Sequence, residues 1–317
     1  MTPARILVDS DPGIDDALAF LLALASPEVS MEGISIVCGN CTTEMGYENA
    51  RRVLDLAHAG PIPVTRGAIK PLIQPLIVAD ETHGPTGLGY AELPPSKRPH
   101  DPRRAVDFLI ESILSTPGEM TVVAIGPLTN LALAIRLEPK IIPAIKQVVS
   151  MGGAIHYPGN VTALAEFNVW CDPHAAHIVY HAGLPLSLVP LDVTYQCVLT
   201  PKHISRIKSL RSPISRFLID STRFYLEYHD EYQKIEGCVI NDPLALALVY
   251  MPELVTWEEH PVDVDHNDGV SIGKTYSDDF NYQHKPNNMR VAMKVRANDF
   301  MEHFVERMEV LCKQYPD

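Results

Sequence analysis

The segment from Ile6 to Leu24, I-L-V-D-S-D-P-G-I-D-D-A-L-A-F-L-L-A-L, places the strongest constraint on how this 317-residue chain can fold. An apolar run leads into the turn Asp9–Asp16, whose Pro-Gly pair predicts a sharp change of direction before an almost wholly apolar helix. In an open α/β sheet, such a turn lies at the carboxyl end of a strand, where these folds bind their ligands. The segment therefore predicts both a fold class and the place of a site.

Four carboxylates lie within eight residues of this turn, at Asp9, Asp11, Asp15 and Asp16. In a half-buried crevice they repel one another, so they require a cation or bound protons. Oxygen-only ligands favour a hard metal ion such as calcium or magnesium. Helix capping alone does not explain the group, because a cap needs a single carboxylate.

The rest of the chain alternates strand-like runs with helices, and several runs end in a polar or glycine-rich turn, at Gly39-Asn40, Gly126-Pro127 and Met151-Gly152. This alternation predicts an open, mainly parallel sheet flanked by helices, with those turns on one edge. We expect a more helical C-terminal half, interrupted by a β-rich segment from Val255 to Val295, and a single domain spanning residues 1–317.

Composition excludes several classes of partner. The net charge of −13 and the lack of a basic run disfavour binding to nucleic acid or to an anionic membrane. No segment is apolar over the length of a membrane span, so we expect a cytoplasmic protein. The six cysteines are scattered, which predicts reduced thiols, and Cys38-Gly-Asn-Cys41 lacks the second pair that a zinc site would use.

Seven separated motifs follow one another along the chain: D-S-D-P-G-I-D-D from Asp9, G-N at Gly39, H-G-P-T-G-L-G from His83, G-P-L-T-N from Gly126, M-G-G from Met151, A-E-F-N from Ala165 and D-P-L-A-L from Asp242. On these motifs the chain resembles the inosine-uridine nucleoside hydrolase family over nearly its whole length. The resemblance implies an open α/β enzyme that hydrolyses the N-glycosidic bond of ribonucleosides with one bound Ca²⁺. It also implies a small-molecule ribonucleoside as partner and a homodimer or homotetramer.

The resemblance assigns roles position by position. The Ca²⁺ ligands would be Asp11, Asp16, Asp242 and the backbone carbonyl of Ile125, and Asp11 would also be the general base. The substrate would contact Asp15, Asn40, His83, Met151, Asn160, Glu166, Asn168 and Asp242. The chemistry independently favours these residue types, because ribosyl C–N cleavage passes through an oxocarbenium-like state that negative charge and oxygen dipoles stabilise.

Asn241 departs from the family pattern, in which many relatives carry a histidine directly before the aspartate of the D-P-L motif. That histidine is thought to protonate the leaving base, so the resemblance makes Asn241 the leaving-group position here. An amide donates a hydrogen bond but delivers no proton at neutral pH. Another acid would then be needed, and the candidates are His83, Tyr225, Tyr228 and His229. The motif from His83 also has Thr86 where an aspartate is usual.

Two other classes of protein remain open at this stage. A phosphatase of the haloacid dehalogenase type also begins with a strand and D-x-D and binds magnesium, but it would have Thr or Val where this chain has Gly13. A catalytically silent nucleoside-binding protein is the other alternative, which Asn241 favours and the full set of carboxylates disfavours.

Overall fold

The computed structural model describes residues 2–316. Its strands, in chain order, are β1 (Ala4–Ser10), β2 (Val29–Ile36), β3 (Val64–Arg66), β4 (Met120–Ala124), β5 (Gln147–Met151), β6 (Leu186–Val189), β7 (Val198–Leu199), β8 (Cys238–Val239), β9 (Val255–His260), β10 (Val262–Val264), β11 (Thr275–Ser277) and β12 (Met289–Val295). Eight of them form a central sheet in the order β3-β2-β1-β4-β5-β6-β12-β9. All neighbours in that sheet run parallel except β12 and β9.

Helices cover both faces of the sheet. They are α1 (Ile14–Leu24), α2 (Thr43–Leu56), α3 (Asp80–His83), α4 (Ala105–Ser115), α5 (Thr129–Leu137), α6 (Ile141–Ala144), α7 (Phe167–Cys171), α8 (Pro173–Tyr180), α9 (Leu191–Thr194), α10 (Pro201–Lys208), α11 (Pro213–Tyr228), α12 (Asn241–Ala247) and α13 (Ala297–Gln314), with a π-helical turn at His229–Gln233 and a 3₁₀ turn at Pro252–Leu254. None of the helices within residues 2–316 is long and apolar enough to cross a membrane.

The strand order reverses at β1, which pairs with β2 on one side and with β4 on the other. Such a switch point opens a crevice at the carboxyl ends of the strands, because the connections leave β1 and β4 in opposite directions. β1 lies between two neighbouring strands and is covered by helices on both faces, so its side chains are buried. This burial explains why its sequence is an apolar run. The acidic turn after Ser10 therefore lies at this crevice.

The predicted fold class is confirmed, and the differences concern the bounds of elements. The β-branched run Gly33–Cys38 predicts the second strand, but that strand begins earlier, at Val29, and ends at Ile36. The pattern from Tyr47 to Leu56 predicts the next helix. That helix begins earlier, at Thr43, because Thr42 caps it by accepting a hydrogen bond from the Met45 N–H at 3.3 Å. All six cysteines are free and buried.

Candidate active site

A cleft of about 420 Å³ opens at the switch point of the sheet. That volume lies within the range usual for small-molecule sites. Ten predicted site residues line it: Asp15, Asn40, His83, Ile125, Met151, Asn160, Glu166, Asn168, Asn241 and Asp242. The other two, Asp11 and Asp16, are fully buried on the turn that supplies Asp15. No lysine or arginine of the described chain lines the cleft.

A group of buried acids lies at one end of this cleft. Carboxylate oxygens of Asp15, Asp16 and Asp242 lie within 4.8 Å of one another. Packing of α12 against α1 brings Asp242, at the start of α12, to the turn after β1. Asp9 is not part of this group, because its Oδ1 accepts hydrogen bonds from Ser35 Oγ at 2.7 Å and Asn130 Nδ2 at 2.8 Å, away from the cleft.

Asp11 is held between two backbone turns. Its Oδ2 accepts a hydrogen bond from the Asn40 N–H at 2.7 Å, while its Oδ1 is buried and has no hydrogen-bond partner among residues 2–316. A Cβ at Gly39 would collide with Oδ2, and a Cβ at Gly126 would lie 2.6 Å from Oδ1. Both positions therefore require glycine, and the carboxylate keeps one orientation with one oxygen free.

Asp16 is oriented by three donors. Its Oδ1 accepts from Ser10 Oγ at 2.6 Å, and its Oδ2 accepts from the Gly13 N–H at 2.9 Å and from Asn40 Nδ2 at 3.0 Å. Asn40 thus holds Asp11 with its backbone and Asp16 with its side chain. A single residue after β2 thereby fixes the relative position of two acids that follow β1.

Asp15 faces Asn241 across the cleft. Asn241 Nδ2 donates to Asp15 Oδ2 at 3.2 Å, and the Tyr225 hydroxyl lies 3.5 Å from the same oxygen. Asn241 Oδ1 is buried without a partner in the described structure. The amide therefore orients Asp15 and leaves an acceptor directed away from it.

Burial raises the pKa of the clustered acids. It raises the pKa of Asp15, and it raises the pKa of Asp11, Asp16 and Asp242 together with repulsion from the neighbouring carboxylates. These groups carry negative charge at neutral pH only at a cost in free energy unless a cation lies among them. The donors are all oxygens and one is unpartnered, so the residues fit a hard divalent cation.

The opposite wall of the cleft is built around the N-terminus of α7. Glu166 caps that helix, with Oε1 accepting from the Asn168 N–H at 2.9 Å and Oε2 from the Gly153 N–H at 2.8 Å. Asn168 Nδ2 donates to the Ile125 carbonyl at 3.0 Å and lies 3.4 Å from the Met151 sulfur. Asn160 Oδ1 accepts from the Phe167 N–H at 2.9 Å, which leaves its amide nitrogen free to donate.

His83 closes the cleft beside the acids. Its Nδ1 accepts a hydrogen bond from the Ile14 N–H at 3.1 Å, so the proton of the neutral ring is on Nε2. Burial lowers the pKa of His83 to about 4. The following glycines Gly84, Gly87 and Gly89 all have positive φ, and Gly89 packs against the backbone of Ser221 in α11. The motif therefore fastens His83 to the body of the protein.

His229 is also neutral, and both of its ring nitrogens are engaged. Nδ1 donates to the Tyr225 carbonyl at 2.7 Å and Nε2 accepts from the Val239 N–H at 3.4 Å. Burial lowers the pKa of His229 to about 4. Burial and the nearby charge of Asp15 raise the pKa of Tyr225 well above its usual range.

Some lining residues are absent from the sequence-based prediction, among them Ile77, Phe167, Trp170, Tyr195 and Gln233. Tyr195 follows β6 at the same sheet edge as the predicted residues, so the strand-then-turn pattern could have indicated it. Gln233 lies in the π-helical turn after α11, for which the sequence gives no signal.

The sheet, its switch point and the acidic crevice define an α/β enzyme with an oxygen-lined site for a cation and a small polar ligand. Residues 6–302 match the family model described as inosine-uridine preferring nucleoside hydrolase. The chain therefore belongs to this family of N-glycosidases that act on ribonucleosides, and the predicted class of enzyme is confirmed.

Individual relatives cover almost the entire chain. An inosine-uridine preferring nucleoside hydrolase from Leishmania major is 39% identical, over 97% of this chain and 98% of its own length. The pyrimidine-specific ribonucleoside hydrolase RihB from Shigella flexneri is 34% identical, over 95% of both chains. The structure of a purine-preferring ribonucleoside hydrolase from Gardnerella vaginalis superposes with a TM-score of 0.93 at 34% identity, covering 98% of this chain and 99% of that one.

Proposed function

We propose that this protein hydrolyses ribonucleosides to ribose and free base with one Ca²⁺ held by Asp11, Asp16, Asp242 and the carbonyl of Ile125. The observation that carries the proposal is a group of buried acids without a basic partner at the switch point, together with the unpartnered Oδ1 of Asp11. When bound, the ion supplies positive charge that lowers the pKa of water and polarises the ribose hydroxyls.

Asp11 is the general base in this mechanism. The Asn40 N–H and the contacts with Gly39 and Gly126 fix its carboxylate, so that Oδ1 takes the proton from the attacking water without reorientation. A separate base is required, because calcium acidifies water less than zinc does. Family membership alone does not assign this role, and the geometry supports it through the free oxygen.

Asp15, Asn160, Glu166 and Asn168 bind the ribose, with the thioether of Met151 packing under the sugar. The free amide nitrogen of Asn160 donates to a sugar hydroxyl. Glu166 is held rigidly by backbone N–H groups and places negative charge beside the ring. Fixed charges of this kind stabilise an oxocarbenium-like state, since they need no reorganisation as positive charge develops.

The leaving base receives little proton assistance from the residues named in the sequence analysis. His229 has no free ring nitrogen, and the Tyr225 hydroxyl is a weaker acid than usual. Asn241 uses one N–H on Asp15 and can offer the other to the base. The two other candidate acids are His83 and Tyr228, which both line the cleft. The His83 ring is neutral, so its Nε2–H donates a hydrogen bond but delivers no proton at neutral pH.

We also propose that residues 1–317 act as one catalytic domain of a cytoplasmic homodimer or homotetramer. The acids after β1 and Asp242 of α12 come from the first and last thirds of the chain, which supports a single catalytic unit. Light scattering of the purified protein tests the assembly, and fractionation of expressing cells tests the compartment. A monomer, or recovery outside the cytoplasm, would contradict the corresponding part.

A panel of ribonucleosides with free-ribose detection tests the proposed function. The relatives include purine-preferring and pyrimidine-specific enzymes, so the panel contains both kinds of base. We expect ribose release in calcium and its loss in chelator, with recovery when calcium is restored. Release of phosphate from phosphate esters would indicate the phosphatase instead, and nucleoside binding without ribose release would indicate the silent binding protein.

A further inference from the structure

A second group of ligand-type side chains lies outside the cleft, between α8 and the hairpin of β10 and β11. His177 on α8 and His181 directly after it are four residues apart, so both rings lie on the same side of the helix. His177 Nδ1 lies 3.3 Å and His181 Nε2 lies 3.1 Å from Asp263 Oδ1 of β10. The ligand atoms of all three residues lie within 4.8 Å of one another.

We propose that His177, His181 and Asp263 form a binding site for zinc or a similar transition-metal ion, separate from the acids of the cleft. Zinc binds imidazole nitrogen and carboxylate oxygen at roughly 2.0–2.2 Å in tetrahedral geometry, which places its ligand atoms about 3.3 Å apart. The two distances to Asp263 match that spacing. Two imidazoles with one carboxylate favour zinc over calcium, which takes oxygen ligands.

The surroundings hold the three ligands in place and admit an ion. Lys285 Nζ donates to Asp263 Oδ2 at 3.1 Å and the Val264 N–H donates to Oδ1 at 2.8 Å, so the carboxylate orientation is fixed. The side chains of His177 and His181 are 37% and 36% exposed, which gives an ion access from solvent. The ring of His266 lies beside that of His177, with ring centroids 4.2 Å apart, so a third imidazole adjoins the three ligands.

The position of the site indicates a structural role. The hairpin contacts the wall of the cleft, because Lys274 Nζ donates to the Ala154 and Ile155 carbonyls and Gly273 packs against Trp170. A metal ion shared by α8 and β10 fastens this hairpin to the body of the protein. The site therefore contributes to stability and not to the chemistry at the acids, and it does not depend on the proposed function.

Calorimetric titration with zinc chloride tests the proposal on intact protein that has been stripped of metal and then saturated with calcium. We expect one zinc ion per chain and a higher melting temperature. His181→Gln and Asp263→Asn should each weaken zinc binding by ~100-fold or more, since each removes a metal ligand. Cobalt(II) provides a second readout, with an intense visible band of tetrahedral coordination that His181→Gln abolishes.

His203→Gln is the matched control. His203 is a half-buried helical histidine that faces a single carboxylate, Glu302, at 4.0 Å, and glutamine at its position preserves the capping of α10. This variant should bind zinc like the wild type, and all variants should hydrolyse ribonucleosides at the wild-type rate in calcium. Absence of zinc binding, or zinc binding that persists unchanged in both ligand variants, would overturn the proposal.

Discussion

Asp11 is the residue whose side chain should matter most for turnover. Asp11→Asn preserves the shape of the side chain and its contact with the Asn40 N–H, but removes the proposed base. We expect kcat in saturating calcium to fall by ~10²–10⁴, the usual contribution of a positioned proton acceptor. Steady-state kinetics with the best substrate of the panel measure the effect.

Asp9→Asn is the control for that experiment. Asp9 lies two residues earlier, near the end of β1, and is also buried, but its Oδ1 accepts hydrogen bonds from Ser35 and Asn130 on the side away from the cleft. Its substitution should leave kcat near the wild-type value. Turnover of Asp11→Asn close to that of Asp9→Asn would show that Asp11 is not the base.

Asn241 should determine how strongly the rate depends on the leaving group. Because an amide delivers no proton at neutral pH, nitrophenyl riboside should be cleaved far faster than inosine. Asn241→His introduces an acid at this position and should raise the rate on inosine by a factor of up to ~10² while changing the activated substrate little. The ratio of kcat/KM for nitrophenyl riboside to that for inosine, measured in the native protein and in Asn241→His, shows whether the difference between the two substrates becomes smaller.

Asn241→Ala separates proton donation from positioning. Loss of the amide also removes the hydrogen bond to Asp15 Oδ2, so both substrates should slow together. The leaving-group assignment fails if the native enzyme cleaves inosine as fast as nitrophenyl riboside and the alanine variant keeps that ratio.

Among the elements, local sequence chemistry predicted most of the framework. Apolar runs ending in polar turns indicated β1, β4 and β5, because a short, continuous apolar run of this kind is typical of a parallel strand that is buried on both faces. The start of β2 was missed because Val29 to Met31 alternates with polar residues and lies against the edge of the core. The glycines of the motif from His83 have positive φ and pack closely against neighbouring residues, which the residue pattern alone does not specify.

His229 connects the end of α11 to β8 and should make that junction sensitive to pH. Its folded-state pKa of about 4 lies below the value near 6.5 of an unfolded histidine, so the unfolded chain binds the proton more readily. The contribution to stability is full above pH 6.5 and is lost as the pH falls towards 4. Between pH 7 and pH 5 it should decrease by about 2 kcal/mol.

Denaturant unfolding of the wild type and of His229→Gln at both pH values measures this contribution. Glutamine remains neutral throughout, so the variant should lose less stability on acidification than the wild type, although it is less stable at pH 7 because the ring contacts with Tyr225 and Tyr228 are gone. His83 also has a lowered pKa, but it is present in both proteins, so its contribution cancels when their losses of stability are compared. Equal losses in the two proteins would contradict the assignment.

Across the whole molecule, the sequence predicted many of the residues that line the cleft but not how they are arranged. Only the family resemblance connected Asp242 with the acids near the N-terminus. Its neighbour Asn241 is 226 positions away from Asp15 in the chain, so local patterns could not show that these residues meet. Packing of α12 on α1 brings them together. Gln233 was missed because lining a cleft depends on how distant elements pack, which residue patterns do not encode.

Calcium should stabilise the entire fold, because the acids proposed to bind it come from the first and last thirds of the chain. An ion that binds only the folded state adds about 2.7 kcal/mol at a concentration 100 times its Kd. For a chain of this size that corresponds to a rise in melting temperature of about 4 °C. Differential scanning calorimetry with calcium and with chelator measures the rise.

Two variants locate the calcium effect. Asp242→Asn removes a ligand whose burial and acidic neighbours raise its pKa, so the variant should melt at nearly the same temperature with and without calcium. It should also be no less stable than the wild type in chelator, because one source of repulsion among the acids is gone. His181→Gln lies outside the cleft and should keep the full calcium shift. If calcium stabilises Asp242→Asn as much as the wild type, the ion binds elsewhere and the acids of the cleft must be neutralised by protons.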